Sequence, residues 1–349
     1  MNNRLEIKYG VIADNAAKIK DYTGKDLLVV VKNNAYNLGI LEVVGCLMQI
    51  GVRHFYVAAV DEAVIIKENF PEAYVLATNP ANVEEIKSAQ KYHIALSIPG
   101  KDWLEANRER LQGVELHLKL NVGMNRFGAS GVDEAREILG ICSSEGLEVT
   151  GLSTHFPLAE EDDLTEHNRQ VDLFAEWHRF LSPLASFRYI HSENSATLVQ
   201  RDPRLNFCNY VRPGILVYGY SASSPVDWVM PVLFLHSRVI YIRTLEAGDH
   251  LGYGTSFTAT EKMRVAVLGL GYGDGLLRVR KEVPVYINGR EYSIISKIFM
   301  SHLFIAVDDS VQVGDWVEIY GEHIRPDTLS IAGYAANSEQ LSALHTCKR

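Results

Sequence analysis

The sequence lacks the long apolar runs, paired cysteines and basic stretches that mark several broad classes of protein. No segment approaches about 18 consecutive apolar residues, and residues 1–20 hold no apolar core of signal-peptide length, so we expect a cytoplasmic protein that does not bind membranes. The four cysteines are widely spread and form no CxxC pair, which favours reduced thiols over a disulfide framework or a zinc site. A formal net charge of −9 argues against nucleic-acid binding and indicates a small-molecule substrate.

The common nucleotide and metal signatures are also missing. The glycine-rich segment GLGYGDG at residues 269–275 does not fit GxGxxG in any register, and no GxxxxGK followed by Ser or Thr is present. The twelve histidines show no HExxH spacing. We therefore expect neither a dinucleotide fold nor a catalytic metal.

Short apolar runs alternate with stretches of helical period through the first two thirds of the chain. The runs are DLLVVVKN, HFYVAAV, AYVLAT, HIALSI, VELHLKLN, LEVTGLSTHF, FRYIHSEN and NYVRPGI. Alternation at this spacing indicates parallel strands with right-handed crossovers, and eight of them favour a closed barrel over an open sheet. We predict an α/β fold, a (β/α)8 TIM-type barrel over residues 1–228.

The pattern changes after residue 228. Runs such as PVLFLHSRVIYIRTL, RVAVLGLGY and WVEIYG are separated by turn signals with almost no helical period between them. We predict a C-terminal all-β domain over residues 229–349. The first ten residues include a short extended piece that could pair with these late strands.

Polar side chains follow several of the barrel strands, at the ends where barrels carry their chemistry. Lys32 comes directly after the apolar residues 27–31, and Tyr36 follows it. The other strand-end residues are Lys119, Arg126, His155, His191, Asn194, Ser195, Arg212, Gly214 and Ile215. A rim with this many cationic and hydroxyl groups suits an anion.

Two places on this rim are typical of phosphate binding. Ser195 begins the helix after the seventh strand, and residues 214–216 expose backbone N–H groups after the eighth. A phosphate site beside a strand-end lysine indicates pyridoxal phosphate held by Lys32 as a Schiff base, because an amine and an aldehyde form that link directly. The alternative for Ser195 is a plain helix N-cap.

Eight ordered segments resemble the alanine racemase family. VVKNNAYNLG resembles its lysine segment VVKADAYGHG, and LHLKLNVGMNRFG resembles its lKxDTGMxRxG segment. STHF, HSENSA, VRPGILVYG, LGYGTSF, GLGYGDGLLR and KIFMS follow in the family's order. The resemblance covers nearly the whole chain and implies a pyridoxal phosphate barrel with a β domain, assembled as a homodimer with shared active sites.

The resemblance also assigns two catalytic residues, one for each face of the substrate. Lys32 resembles the Schiff-base lysine, and Tyr253 in LGYGTSF resembles the catalytic tyrosine that the partner subunit contributes. Racemisation needs the α-proton removed from one face and returned on the other, so two bases are required. A phenol is ordinarily protonated at neutral pH. The resemblance therefore implies help for the tyrosine from His155, and beyond it from Arg212 and His191.

Further roles follow position by position. Arg212 resembles the arginine that donates to the pyridine nitrogen, and Arg126 the residue that faces the cofactor's phenolic oxygen and the substrate carboxylate. Lys119 matches a lysine that is carbamylated in many members, the alternative being an unmodified lysine. The backbone N–H of Met300 would bind the substrate carboxylate. The remaining positions matched to cofactor contacts are Tyr36, His155, Asn194, Ser195, Gly214, Ile215 and Ser338.

Two departures from the family pattern bear on specificity. The family's Met-Asp pair is Met300-Ser301 here, and the family tyrosine that closes the substrate pocket aligns with Ser338, since Tyr334 would require a four-residue shift. A smaller side chain would relax the gate for alanine, so serine or a broader range of amino acids is the alternative substrate class. Two further hypotheses for the function are a barrel-type decarboxylase and a non-catalytic cofactor-binding protein.

Overall fold

The computed structural model describes residues 2–221, 226–331, 333 and 337–344, and the chain divides into two compact units. One unit is Ile12–Val217, and the other combines Met1–Val11 with Tyr218–Arg349. The sequence places the boundary after residue 228, whereas the division lies at Val217. Gly219 explains part of the difference. It lies so close to the backbone of Met230 that a side chain at position 219 would overlap it. Residues just after Val217 thus pack within the second unit.

The strands and helices follow in chain order. The strands are β1 (Asn3–Ile7), β2 (Asp26–Val30), β3 (His54–Val57), β4 (Tyr74–Ala77), β5 (Ala95–Ile98), β6 (Glu115–Lys119), β7 (Glu148–Ser153), β8 (Tyr189–Asn194), β9 (Tyr210–Arg212), β10 (Leu233–Leu245), β11 (His250–Leu251), β12 (Phe257–Thr258), β13 (Met263–Leu268), β14 (Val285–Ile287), β15 (Arg290–Tyr292), β16 (Ile294–Ile295), β17 (Leu303–Val307) and β18 (Trp316–Tyr320). The helices are α1 (Tyr9–Thr23), α2 (Lys32–Asn37), α3 (Ile40–Gln49), α4 (Val60–Asn69), α5 (Val83–Tyr92), α6 (Lys101–Asn107), α7 (Val132–Ser144), α8 (Thr165–Leu181), α9 (Ser195–Gln200), α10 (Thr328–Ile331) and α11 (Asn337–Ala343).

Strands β2 to β9 form a closed parallel barrel, which confirms the predicted (β/α)8 fold. The barrel closes where β9 pairs with β2, with Tyr210 opposite Asp26 and Val211 opposite Leu27. Helices cover the outside through apolar stripes. In α1 the stripe is Ile12, Ala16 and Ile19, all fully buried.

The inside of this barrel is more aromatic and polar than the branched aliphatic filling common in such folds. Tyr189 and Tyr210 pack with Leu28, and the rings of Tyr56 and Tyr74 join the same cluster. Histidine rings from three strands lie among these tyrosines, since His54, His117 and His191 each contact at least one other ring. Polar groups in this interior require internal hydrogen-bond partners.

The second unit is built on an antiparallel sheet in the order β15-β14-β18-β10-β13-β17-β16, which confirms the predicted all-β domain. The first strand, β1, pairs with β10, with Leu5 opposite Leu235. This confirms the expectation that the N-terminal piece joins the late strands. No helix within the described part of the chain has the length and apolar character to cross a membrane.

The glycine-rich residues 269–275 serve a structural purpose in this unit. The N–H groups of Tyr272 and Gly273 donate to the carbonyl oxygens of Phe299 and Met300 at 2.9 Å and 2.8 Å. A Cβ on Gly273 would lie 2.8 Å from the Met300 oxygen. The glycines therefore permit a close backbone approach that positions the Met300 segment.

Candidate active site

Lys32 lies two residues after the end of β2 and precedes a left-handed turn. Residues 33–36 have φ of 53–56° and ψ of 36–55°, and Asn37 continues at φ 65°. This conformation costs about 1–2 kcal/mol per residue for most side chains, and asparagine tolerates it best after glycine. Three of the five residues are asparagines, at positions 33, 34 and 37. The composition of KNNAYN thus limits the cost of the turn.

Two local hydrogen bonds and one tertiary hydrogen bond hold the turn in place. Its centre is anchored by Ala35, fully buried, whose N–H donates to the Val31 oxygen at 2.9 Å. The side chain of Asn34 accepts from the N–H of Ile40 at 2.9 Å, and the N–H of Asn34 donates to Glu62 Oε1 at 3.3 Å. The turn therefore has a defined geometry that carries the chain from Lys32 to Tyr36.

Tyr36, Ser195 and Gly214 converge on one spot at the rim. A Cβ on Gly214 would lie 2.6 Å from the Tyr36 hydroxyl, so only glycine leaves room there. Ser195 Oγ accepts from the N–H groups of Gly214 at 3.0 Å and Leu216 at 3.3 Å. Burial raises the pKa of Tyr36, with a smaller contribution from Tyr56, so the hydroxyl remains a donor. Two hydroxyls and the backbone around Ile215 thus form a cradle of anion-binding type.

Asn194, and not Ser195, caps helix α9. Asn194 Oδ1 accepts from the N–H of Thr197 at 3.0 Å, while its Nδ2 donates to the Phe156 oxygen at 3.0 Å. The interpretation of Ser195 as a plain N-cap is therefore wrong, because its hydroxyl faces residues 214–216. Both ends of the Asn194 amide are therefore bonded within the protein. The contact between Asn194 and the cofactor stays a prediction.

Arg212 is buried at the end of β9, with both terminal nitrogens hydrogen-bonded. Nη1 donates to His191 Nδ1 at 2.9 Å and to the His191 oxygen at 2.7 Å. Nη2 donates to the oxygens of Thr154 and Ser192 at 2.7 Å and 2.9 Å, and to His155 Nδ1 at 3.3 Å. Among the described residues, Nε–H makes no hydrogen bond. This N–H is the donor that remains for a ligand.

The two histidines beside Arg212 are held neutral. Burial, followed by the charge of Arg212, lowers the pKa of His155 and of His191 well below the ordinary value. A neutral imidazole that accepts at Nδ1 carries its proton on Nε2. His155 therefore presents an Nε2–H donor while Arg212 holds the ring in orientation.

Lys119 is a buried amine in cationic surroundings. Burial lowers its pKa, and the charges of Arg212, Arg126 and Lys32 act in the same direction. Its Nζ lies 5.5 Å from the centre of the Phe127 ring and has no hydrogen bond or ion pair within the residues that the structure describes. Arg126 is exposed, with its guanidinium 5.9 Å from the same ring. An anion beside Lys119 would be stabilised.

Sequence reasoning missed Tyr56 on β3. Its ring lies 5.7 Å from the Arg212 guanidinium. Burial acts to raise the pKa of Tyr56, but the charges of Arg212 and Lys119 outweigh it and the pKa is lowered overall. The sequence held a signal for Tyr56. It lies two residues after His54, and residues two apart on a strand share one face of the sheet.

The remaining predicted residues belong to the second unit. Tyr253 is 77% exposed, and its ring packs on Phe299 at 4.9 Å between centroids. The preceding Gly252 has φ 85°, and a Cβ there would lie 2.7 Å from Ser296 Oγ. Met300 is 61% exposed. Ser338 lies on α11 and is partly buried, whereas Tyr334 lies outside the described residues.

Comparison with known proteins covers almost the entire chain. Residues 7–222 match the family described as "Alanine racemase, N-terminal domain", and residues 232–348 match "Alanine racemase, C-terminal domain". An alanine racemase of Staphylococcus saprophyticus is 33% identical over 341 residues, which cover 95% of this chain and 87% of that protein.

Solved structures show the same similarity. The alanine racemase of Acinetobacter baumannii superposes with a TM-score of 0.87 at 28% identity, over 99% of this chain and 98% of that one. The alanine racemase of Bacillus anthracis with bound L-Ala-P superposes with a TM-score of 0.86 at 26% identity, over 99% and 93% of the two chains.

Proposed function

The chain belongs to the alanine racemase family and interconverts L- and D-alanine, and we propose that it does so with pyridoxal phosphate on the barrel rim and with Lys32 and Tyr253 as its two bases. One observation carries this proposal. The left-handed turn joins the strand-end amine of Lys32 to the anion cradle of Tyr36, Ser195 and Gly214 within a few residues.

The residues at the rim fit this cofactor. The cradle places the hydroxyls of Tyr36 and Ser195 beside Gly214, where any Cβ would intrude, and these two donors suit a phosphate. The Nε–H of Arg212 suits a neutral ring nitrogen, because an arginine donates a hydrogen bond and keeps its own proton. Pyridoxal phosphate, when bound, links to the substrate amine and withdraws electrons from the Cα–H bond, so that the α-proton becomes acidic.

The protein's own contribution is to hold and move one proton at each face of the substrate carbon. As a free amine, Lys32 would accept or donate a proton at one face. Tyr253 serves the opposite face, and His155 would assist a phenolate through its Nε2–H. Arg126, exposed at the rim, and the Met300 backbone N–H would bind the substrate carboxylate.

A homodimer with shared sites would account for the exposure of Tyr253 and Met300. Both side chains are large and apolar over most of their surface, yet 77% and 61% of each is exposed. We propose that each β unit offers Tyr253 to the barrel of a second copy. The cytoplasmic location stays a prediction from the sequence.

Lys119 is expected to carry a carbamate. Only a neutral amine reacts with carbon dioxide, and burial among cations lowers the pKa of Lys119, which raises its neutral fraction at a given pH. The product is an anion placed next to Arg126 and Arg212. We expect a carbamate signal in the 13C NMR spectrum after incubation with labelled bicarbonate, growing with pH and vanishing on acidification.

Lys119→Ala is the matched control for this signal. An identical carbamate resonance in the Lys119→Ala protein would assign the modification to another amine. No resonance at all in the wild-type protein would leave Lys119 as a buried amine and contradict the prediction.

Ser338 leads us to propose that L-serine is accepted besides alanine. A serine in place of a tyrosine enlarges the pocket, and an apolar pocket discriminates one methylene by only about 1–3 kcal/mol. We expect loss of the α-proton NMR signal in D2O for L-serine at a rate within about tenfold of that for L-alanine. Product chirality would be checked for both.

The variant Ser338→Tyr tests the cause. It should slow exchange of serine more than that of alanine if the pocket is open at this position. A wild-type rate for serine far below that for alanine would refute the proposal. If no amino acid exchanged its α-proton with D2O, the result would contradict racemisation and favour a non-catalytic cofactor-binding protein.

A further inference from the structure

A chain of hydrogen bonds runs through the barrel interior from Arg212 to Glu115. Arg212 Nη1 lies 2.9 Å from His191 Nδ1, and His191 Nε2 lies 2.8 Å from His117 Nδ1. His117 Nε2 lies 2.7 Å from the Tyr74 hydroxyl, which lies 3.1 Å from Glu115 Oε1. The chain joins residues of β9, β8, β6 and β4, and returns to β6 at Glu115.

The chemistry of its ends sets the direction of every bond. An arginine only donates, so His191 accepts at Nδ1 and carries its proton on Nε2. That proton is donated to His117 Nδ1, which leaves His117 with its own proton on Nε2. His117 then donates to the Tyr74 oxygen, and Tyr74 donates to the Glu115 carboxylate. Both histidines must therefore be neutral Nε2–H tautomers.

The barrel is shaped to hold this arrangement. The side chain of His117 is fully buried, and a Cβ on Gly151 of the neighbouring strand would overlap the His117 ring. Gly151 has an ordinary φ, so a glycine is needed at this position to leave room for the His117 ring and not to permit an unusual backbone conformation. Tyr189 stacks on the His117 ring, with 5.5 Å between ring centroids and 17° between planes.

The electrostatics agree with the neutral tautomers. Burial lowers the pKa of His117 to about 3, and burial with Arg212 lowers that of His191 well below its usual range. Glu115 Oε1 also accepts from the Thr150 hydroxyl. Burying five polar groups in a barrel core carries a desolvation free energy that apolar residues would not. In return, a network in which these groups bond to one another makes the core rigid.

We propose that Tyr74, His117 and Glu115 are positioning residues for Arg212. They fix the tautomer of His191, so that Nη1 keeps a ring acceptor at Nδ1 in addition to the backbone oxygens that Arg212 also binds. The result would be a defined direction for Nε–H, the donor that would bind the cofactor's ring nitrogen. This inference rests on the proposed function of Arg212, and it extends the site from the rim to the opposite side of the barrel.

The tautomers are measured without turnover. In the purified protein with 15N-labelled histidine, long-range 1H–15N correlation spectra report the protonated nitrogen of each ring, with His117→Gln and His191→Gln used for assignment. We expect Nε2–H signals for both rings from pH 5 to pH 9. A protonated ring or an Nδ1–H tautomer at either position at neutral pH would overturn the proposal.

Tyr74→Phe breaks the chain by the loss of one hydroxyl. Its matched control is Tyr189→Phe, which removes a hydroxyl from the neighbouring tyrosine but keeps the ring against His117. We expect Tyr74→Phe to shift the 15N signals of both His117 and His191 and to lower kcat about tenfold, since small misplacements cost up to about 10²-fold. The control should change neither.

The opposite result is equally clear. If Tyr74→Phe perturbs His117 alone and matches the control in kcat, the chain only fills the core and the proposal fails. Should Tyr74→Phe not fold, Glu115→Gln keeps an acceptor oxygen but removes the charge, and the same two readouts decide. Intact tautomers in a protein that exchanges no amino acid would count against the proposed function and not against the chain.

Discussion

Replacing Lys32 by alanine is expected to lower kcat for alanine racemisation by at least about 10³-fold, since a positioned acid–base group contributes about 10²–10⁴-fold. The amine is both the proposed link to the cofactor and one of the two bases, so its loss removes two functions at once. The rate of D-alanine formation from L-alanine at saturating pyridoxal phosphate is the measurement. Lys20→Ala is the control, because Lys20 is exposed and its ion pair with Asp26 lies at the surface.

The same variant tests whether the active site is shared. A Tyr253→Phe chain lacks the second base, so each single variant should be inactive alone. In a mixed dimer, one site combines a wild-type Lys32 with a wild-type Tyr253, and activity should return in part. Failure to recover activity, after subunit exchange has been shown by mass spectrometry, would contradict a site built from two copies.

Arg212→Lys is expected to lower both the stability of the protein and its kcat. A lysine has three donors on one nitrogen, whereas Arg212 serves two histidine rings and three backbone oxygens from two nitrogens. Each buried acceptor left without a donor costs about 1–3 kcal/mol. We expect the free energy of unfolding to fall by about 2–4 kcal/mol and kcat by about 10²-fold.

Urea unfolding of the cofactor-free protein and steady-state kinetics of the loaded enzyme separate these two effects. Arg169→Lys is the control, since Arg169 makes its ion pair with Glu166 at the surface and such pairs contribute little. A stable Arg212→Lys protein with kcat within about threefold of wild type would show that the guanidinium geometry is not used in catalysis.

Strand count, strand direction and the position of Lys32 were all accessible from the sequence. Eight apolar runs alternating with helical segments require parallel strands, and eight such strands close into a barrel. The sequence also allowed the short extended piece in the first ten residues to pair with the late strands, and β1 does pair with β10. These features depend on local pattern and chain connectivity.

Local pattern was not enough at Asn194 and Ser195. Both residue types cap helices, and adjacent positions differ only in which side chain turns toward the helix. The hydroxyl of Ser195 turns instead to Gly214 and Leu216, far along the chain. The left-handed turn after Lys32 depended in the same way on a distant anchor, Glu62.

By itself, the sequence of this protein determined its fold and the residues at the strand ends, because periodicity and order are properties of the chain. Only the tertiary structure decided the partners inside the barrel. His117 meets His191 across 74 residues of sequence, and Tyr74 meets His117 across 43. Alternation along a strand predicts which side chains face inward, but barrel closure sets which of them come within hydrogen-bond distance of each other.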